Sequence, residues 1–169
     1  MPIVRLNHAV LYVRDVDRSV DFYRAMLGFE VVASIPGRAA FLRAAGSTND
    51  HDLGLFAMGD GAGASQAGRT TVGLYHLAWE VDTLGELERI RTVLADAGAL
   101  VGMSDHGTTK ALYAVDPDGL EFEVSWLVPA DRLTGDETMR TAPLDLAREI
   151  AEFGRETQGG IGVSRILAP

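Results

Sequence analysis

Residues 6–13 read LNHAVLYV, and residues 74–81 read LYHLAWEV, a matching stretch at a constant offset of 68. Each has the alternation of a β-strand. The spacing predicts a histidine near each strand centre, His8 in the first and His76 in the second. Leu6, His8, Val10 and Tyr12 share one strand face, as do Leu74, His76, Ala78 and Glu80. A single histidine on such a face is more often a structural residue than a ligand. Recurrence at the equivalent place changes that balance: two imidazoles related by an internal repeat can point into one cavity.

The segments that follow also repeat. A charged turn comes after each strand, DVDRS at 15–19 and DTLGE at 82–86. Val16, Val20, Tyr23 and Leu27 then fall at helical spacing, with Gly28 as the stop. Leu84, Leu87, Ile90, Leu94 and Ala97 do the same before Gly98. Strand candidates follow each helix: FEVVASI, AAFLRA and DLGLFAM in the first half, ALVGMSD, KALYAVD and LEFEVSW in the second. The reading is an α+β fold of two βαβββ modules, residues 1–58 and 72–128. Neither module has a large core by itself, so the two are expected to pack as one domain. The Gly-, Ala- and Ser-rich stretch 59–71, GDGAGASQAGRTT, reads as a flexible linker or lid. Residues 129–169 form a tail. It holds one helix candidate starting near Pro143, with Leu144, Ala147, Ile150, Ala151 and Phe153 as an apolar stripe, and then an irregular arm, QGGIGVSRILAP.

Composition narrows the function classes. The 169 residues carry a formal charge of −9 and a pI near 4.8, which argues against nucleic acid or an anionic membrane as partner. The absence of cysteine excludes disulfides, cysteine nucleophiles, thiolate metal sites and iron–sulfur clusters. The N-terminus has no signal-peptide pattern, and no apolar run is long enough to span a membrane. A cytoplasmic protein is the expectation.

The last strand adds a carboxylate. DPDG at 116–119 is a turn signal. In the strand that follows, Leu120, Phe122, Val124 and Trp126 alternate with Glu121, Glu123 and Ser125. Two glutamates on an inner face need a cation or hydrogen-bond donors; on an outer face they need nothing. Two neutral imidazoles and one carboxylate make the facial triad of non-haem Fe(II) sites, which leaves coordination positions open.

NHAVLYV, YHLAWEV and DPDGLEFEV, set in paired βαβββ modules, resemble the vicinal oxygen chelate superfamily over residues 4–128. That superfamily contains glyoxalases, fosfomycin-resistance proteins, bleomycin-binding proteins and extradiol dioxygenases. The resemblance implies an open, cup-shaped mixed β-barrel around a metal site, and a homodimer. It implies Fe(II), with Mn(II) as a substitute, on His8, His76 and Glu123. HDLGL resembles the extradiol stretch that carries an acid–base histidine, which maps that role onto His51. DHGTTKALYAVDPDG resembles the extradiol run ending at the carboxylate, with Tyr113 as an active-site tyrosine and His106 as a substrate contact. Lys110 and Arg69 are candidate anchors for an acidic substrate. Trp79 and Trp126 read as packing residues. The activity implied is extradiol cleavage of a catechol, a substituted catechol or L-DOPA with O2, His51 taking a proton from the substrate and later returning it.

Two other classes stay open. A glyoxalase- or fosfomycin-resistance-like lyase or transferase would use Zn, Ni or Mn and want a fourth protein ligand; the matching place here is near Gly54, which offers no side chain. A metal-free drug-binding protein would not need two histidines and a glutamate in register.

Overall fold

Asp15, two residues beyond the first strand, opens the first helix. Its carboxylate accepts from the Asp17 and Arg18 backbone N–H groups, filling donors that a helix start leaves open. Helix α1, Val16–Leu27, stops at Gly28, where φ is 72°, a left-handed turn that suits glycine. Thr83 caps helix α2, Leu84–Asp96, through the Glu86 N–H. The buried stripe of α2 is Leu84, Leu87, Ile90 and Leu94, as the spacing predicts.

A computed structural model describes residues 3, 5–67, 70–135, 137–138 and 140–160. Arg69 and the arm after residue 160 lie outside the described residues. The contacts divide the chain into two compact units. The first takes in the chain up to Gln66 together with the turn Asp116–Gly119; the second takes in Ala67–Val115 and the chain from Leu120 onward.

In the first unit, β1 (Ala9–Val13), β2 (Glu30–Ile35), β3 (Ala39–Arg43) and β4 (Leu53–Ala57) form one sheet. Its order is β1-β4-β3-β2, with β1 parallel to β4. Leu42, Leu53 and Leu55 are fully buried, and α1 lies against β3 and β4. The DPDG turn is tied to this unit. The Tyr23 hydroxyl donates to Asp116 Oδ2 at 3.2 Å, and the Arg14 N–H donates to Asp118 Oδ2 at 2.7 Å. Burial, and then Asp116, push the Tyr23 pKa well above its ordinary value.

The second unit repeats the plan. Strands β5 (Leu77–Glu80), β6 (Leu100–Asp105), β7 (Thr109–Val115), β8 (Glu121–Leu127) and the short β9 (Ala142–Pro143) run in the order β5-β8-β7-β6-β9, with β5 parallel to β8. Apart from β9, this is the order of the first sheet, so the sequence repeat is also a repeat of topology. Phe122, Val124 and Trp126 of β8 are buried, and α2 covers this sheet.

Two expectations need correction. His8 and His76 sit at the entry to their strands, one residue before Ala9 and Leu77, and not at strand centres. The tail helix α3 is Leu146–Phe153, with Asp145 as its cap. Pro143 belongs to β9, and the buried positions are Leu144, Leu146 and Glu149, while Ala147 and Ala151 are exposed. The tail is nevertheless built into the second unit. The Phe153 ring meets the Trp126 ring at 5.5 Å, and Trp126 Nε1 donates to the Thr157 carbonyl at 3.2 Å. Gly159 passes so close that a Cβ there would collide with the Leu127 carbonyl oxygen and the Trp126 indole.

Candidate functional site

Strand pairing in the second unit places Tyr113 directly across from Glu123, and Ala78 of β5 beside Glu123 on its other edge. One residue before β5, His76 reaches Glu123: Nε2 is 3.3 Å from Oε2. Both side chains are largely shielded, at 25% and 12% exposure. His76 Nδ1 is buried with no hydrogen-bond partner. The Tyr75 ring lies 4.6 Å from the His76 ring, and the Tyr113 ring lies 5.8 Å from it.

This pair fits two positions of a metal centre. Two N and O donors about 2.1 Å from one cation, at tetrahedral to octahedral angles, stand roughly 3.0–3.4 Å apart. The imidazole and carboxylate are already at that separation. Nitrogen and oxygen donors suit Fe(II), Mn(II), Ni(II) or Zn(II). Among the described residues, no three His, Cys, Asp or Glu side chains form a complete metal cage.

His106 and Tyr113 belong to the same cluster. His106 Nε2 is 2.8 Å from the Tyr113 hydroxyl, and His106 Nδ1 is 2.8 Å from the Arg140 carbonyl oxygen. Burial raises the Tyr113 pKa, and the charge of Glu123 and a hydrogen bond to it add to that, bringing it to about 12. Tyr113 therefore keeps its proton at neutral pH. A cleft of about 420 Å³ opens beside these groups, lined by His106, Thr108, Thr109, Glu123, Glu137 and Thr138.

In the first unit, His8 and His51 come together. Their rings are 4.5 Å apart, and the Phe41 ring meets His51 edge-on at 5.2 Å. His8 Nδ1 lies 2.7 Å from Asn7 Oδ1. His51 Nδ1 lies 3.0 Å from Asp50 Oδ2. In each case an Nδ1–H donated to that oxygen leaves Nε2 with its lone pair, the form that a metal ligand or a general base needs. The His51 backbone N–H, and then its ring, hold the Asp50 carboxyl below the usual range. Asn49 joins this loop to the start of the chain through the Asn7 carbonyl at 2.7 Å.

Lys110 is not a substrate anchor. It is 2% exposed, and its Nζ sits between Asp105 Oδ1 at 2.6 Å and Glu149 Oε2 at 2.9 Å. Arg140 pairs with the other oxygen of Asp105. Burial alone would raise the Asp105 pKa, but hydrogen bonds from Lys110, the Gly107 N–H and Arg140 bring it down to about 2. Sequence reading missed this cluster. One signal was available: Lys110 shares its strand face with Leu112 and Ala114, opposite Trp126, Val124 and Phe122. A lysine on that apolar face requires buried partners.

The family described as the glyoxalase/bleomycin resistance protein/dioxygenase superfamily matches residues 5–124. A catechol-2,3-dioxygenase of Bacillus subtilis is 30% identical over 170 residues, covering 96% of this chain and 56% of that protein. A biphenyl-2,3-diol 1,2-dioxygenase of Rhodococcus globerulus is 34% identical over 116 residues, covering 68% of this chain and 59% of that protein. This chain therefore spans a little over half the length of these relatives. Among solved structures, a glyoxylase/bleomycin resistance protein/dioxygenase domain from Frankia sp. EAN1pec superposes with a TM-score of 0.61 at 25% identity, covering 73% of this chain and 92% of that one. With the repeated βαβββ topology and a match over most of its length, the chain belongs to the glyoxalase/bleomycin resistance protein/dioxygenase superfamily.

Proposed function

We propose that this protein is an Fe(II)-dependent extradiol dioxygenase, cleaving a catechol-type ring with O2. The observation that carries the reading is the convergence of the His76–Glu123 pair and the hydrogen-bonded His106–Tyr113 pair on adjoining strands of one sheet. A lyase site needs polarising ligands. A ring-cleaving site also needs groups that hold oxygen atoms by hydrogen bonds, and His106 and Tyr113 are of that kind. The two relatives named as dioxygenases support the same choice.

His76 and Glu123 are proposed as two ligands. His8 is proposed as the third, from its place in the repeat and the lone pair left on its Nε2. Two neutral imidazoles and one carboxylate leave a divalent centre net positive. Bound there, Fe(II) would supply Lewis acidity toward a catechol and a route for electrons to O2. His51 is proposed to accept the catechol proton at Nε2, with Asp50 holding its Nδ1–H and stabilising the imidazolium. Tyr113 hydrogen-bonds a substrate oxygen, and His106 lines the cleft beside it.

The test is anaerobic loading with Fe(II), followed by catechol, protocatechuate, homoprotocatechuate or L-DOPA in air-saturated buffer. Oxygen uptake with a new visible absorbance, from a muconic semialdehyde-type product, is the expected result. No oxygen uptake with any of these catechols, together with tight binding of Zn or Ni, would overturn the proposal in favour of a glyoxalase-like activity.

A further inference from the structure

The tail lies beyond the family match, which ends at residue 124, yet it reaches the histidine that faces Tyr113. The Arg140 carbonyl oxygen is 2.8 Å from His106 Nδ1. A carbonyl oxygen only accepts, so Nδ1 carries the proton. In the neutral ring, Nε2 is then bare. At 2.8 Å from the Tyr113 hydroxyl, it draws that hydroxyl's single proton away from the Glu123 carboxylate, which otherwise accepts it. The Tyr113 oxygen is left with its lone pairs facing other donors. The opposite tautomer would reverse this, with His106 donating and Tyr113 free to donate elsewhere. The choice of tautomer thus decides whether Tyr113 acts as acceptor or donor toward a bound hydroxyl.

Two features fix the Arg140 carbonyl. Residues 142 and 143 pair with Asp105 and Ser104 as strand β9, and the Arg140 guanidinium pairs with Asp105. Asp105 is itself held by Lys110 and by the Gly107 N–H at 2.8 Å. Lys110 in turn is held by Glu149 of α3. The anchor is therefore buried and charged, and it lies on the residue next to His106.

We propose that Arg140 is a positioning residue: its carbonyl sets the Nδ1–H tautomer of His106 and so directs the Tyr113 hydroxyl, and its guanidinium, through Asp105, keeps that carbonyl in place.

The test is nitrogen NMR of the full chain labelled at histidine, metal-free, at a pH where His106 is neutral. The expected spectrum has His106 protonated on Nδ1 and bare on Nε2. Arg140→Ala frees the anchor and should bring in a clear share of the Nε2–H form; Arg140→Lys, which keeps a cation for Asp105, should restore the parent spectrum. Arg140 is half exposed, so folding should survive, and Arg140→Gln gives the same reading if the alanine variant does not accumulate. A parent His106 protonated on Nε2, or a tautomer that does not change in Arg140→Ala and Arg140→Gln, would overturn the proposal. Its consequence for turnover rests on the dioxygenase reading: kcat should fall roughly tenfold in Arg140→Ala, the low end for loss of an orienting partner, with KM for the catechol less affected. If the spectra behave as expected but no catechol supports oxygen uptake, the dioxygenase reading fails and the role of Arg140 stands.

Discussion

Replacing Lys110 by methionine keeps the length of the side chain and removes its charge. The consequence follows from the burial of the cluster. Lys110 is 2% exposed, Asp105 6% and Glu149 4%. At 2.6 and 2.9 Å, each ion pair carries a gross attraction of about 6 kcal/mol at an effective dielectric constant near 20. Much of that is offset by the hydration each ion gave up. The net cost of removing the cation comes from what remains. Asp105 keeps Arg140 and the Gly107 N–H, while Glu149 loses the ion pair that neutralises it. Stranding a buried charge costs about 3–5 kcal/mol. In a chain of this size that is roughly 6–20 °C in Tm. Both tryptophans, Trp79 and Trp126, lie in the second unit, so urea unfolding followed by tryptophan fluorescence reports on that unit. A Lys110→Met variant within about 1 kcal/mol of the parent at pH 7 would show that the ion cluster does not hold the tail.

Three further outcomes follow. Asp105 has a folded pKa of about 2, below its unfolded value of about 3.9. Its contribution, about 2–3 kcal/mol, is present above pH 4 and lost as the pH falls toward 2; acid titrations of parent and Asp105→Asn with no difference in slope over that window would contradict this. His51→Ala should retain iron and lose turnover by about 10²–10⁴-fold, measured as metal content beside oxygen uptake; loss of iron would make His51 a ligand. Gly159→Ala should destabilise the second unit by about 1–3 kcal/mol and shift the Trp126 emission, since the new Cβ has no room beside Leu127 and the indole.

Hydrophobic period and turn chemistry were enough to place both helices and the strands of both modules, because each signal was local. Gly28, Asp15 and Thr83 act within a few residues of themselves. The pairing of Glu123 with Tyr113 was also within reach, since DPDG fixes a short hairpin between β7 and β8. What could not be read locally was the use made of the tail. Lys110 finds Glu149 at a separation of 39 residues, and His106 finds the Arg140 carbonyl at 34. Such partners depend on how the tail returns to the sheet, and neither period nor motif encodes that path. The histidines were misplaced by a small step for a similar reason. Alternation marks the face of a strand but not where its ladder of hydrogen bonds begins, and here the ladder begins just after each histidine.

The proposed reaction is ring cleavage by a dioxygenase that uses His76 and Glu123 as ligands. Its most direct test is a single measurement: chain loaded anaerobically with Fe(II), mixed with catechol and isotopically labelled dioxygen, quenched rapidly and analysed by mass spectrometry. The expected result is a ring-opened product carrying both labelled oxygen atoms, absent when Glu123→Gln replaces the parent. Unchanged catechol, or a product with no label, would contradict it.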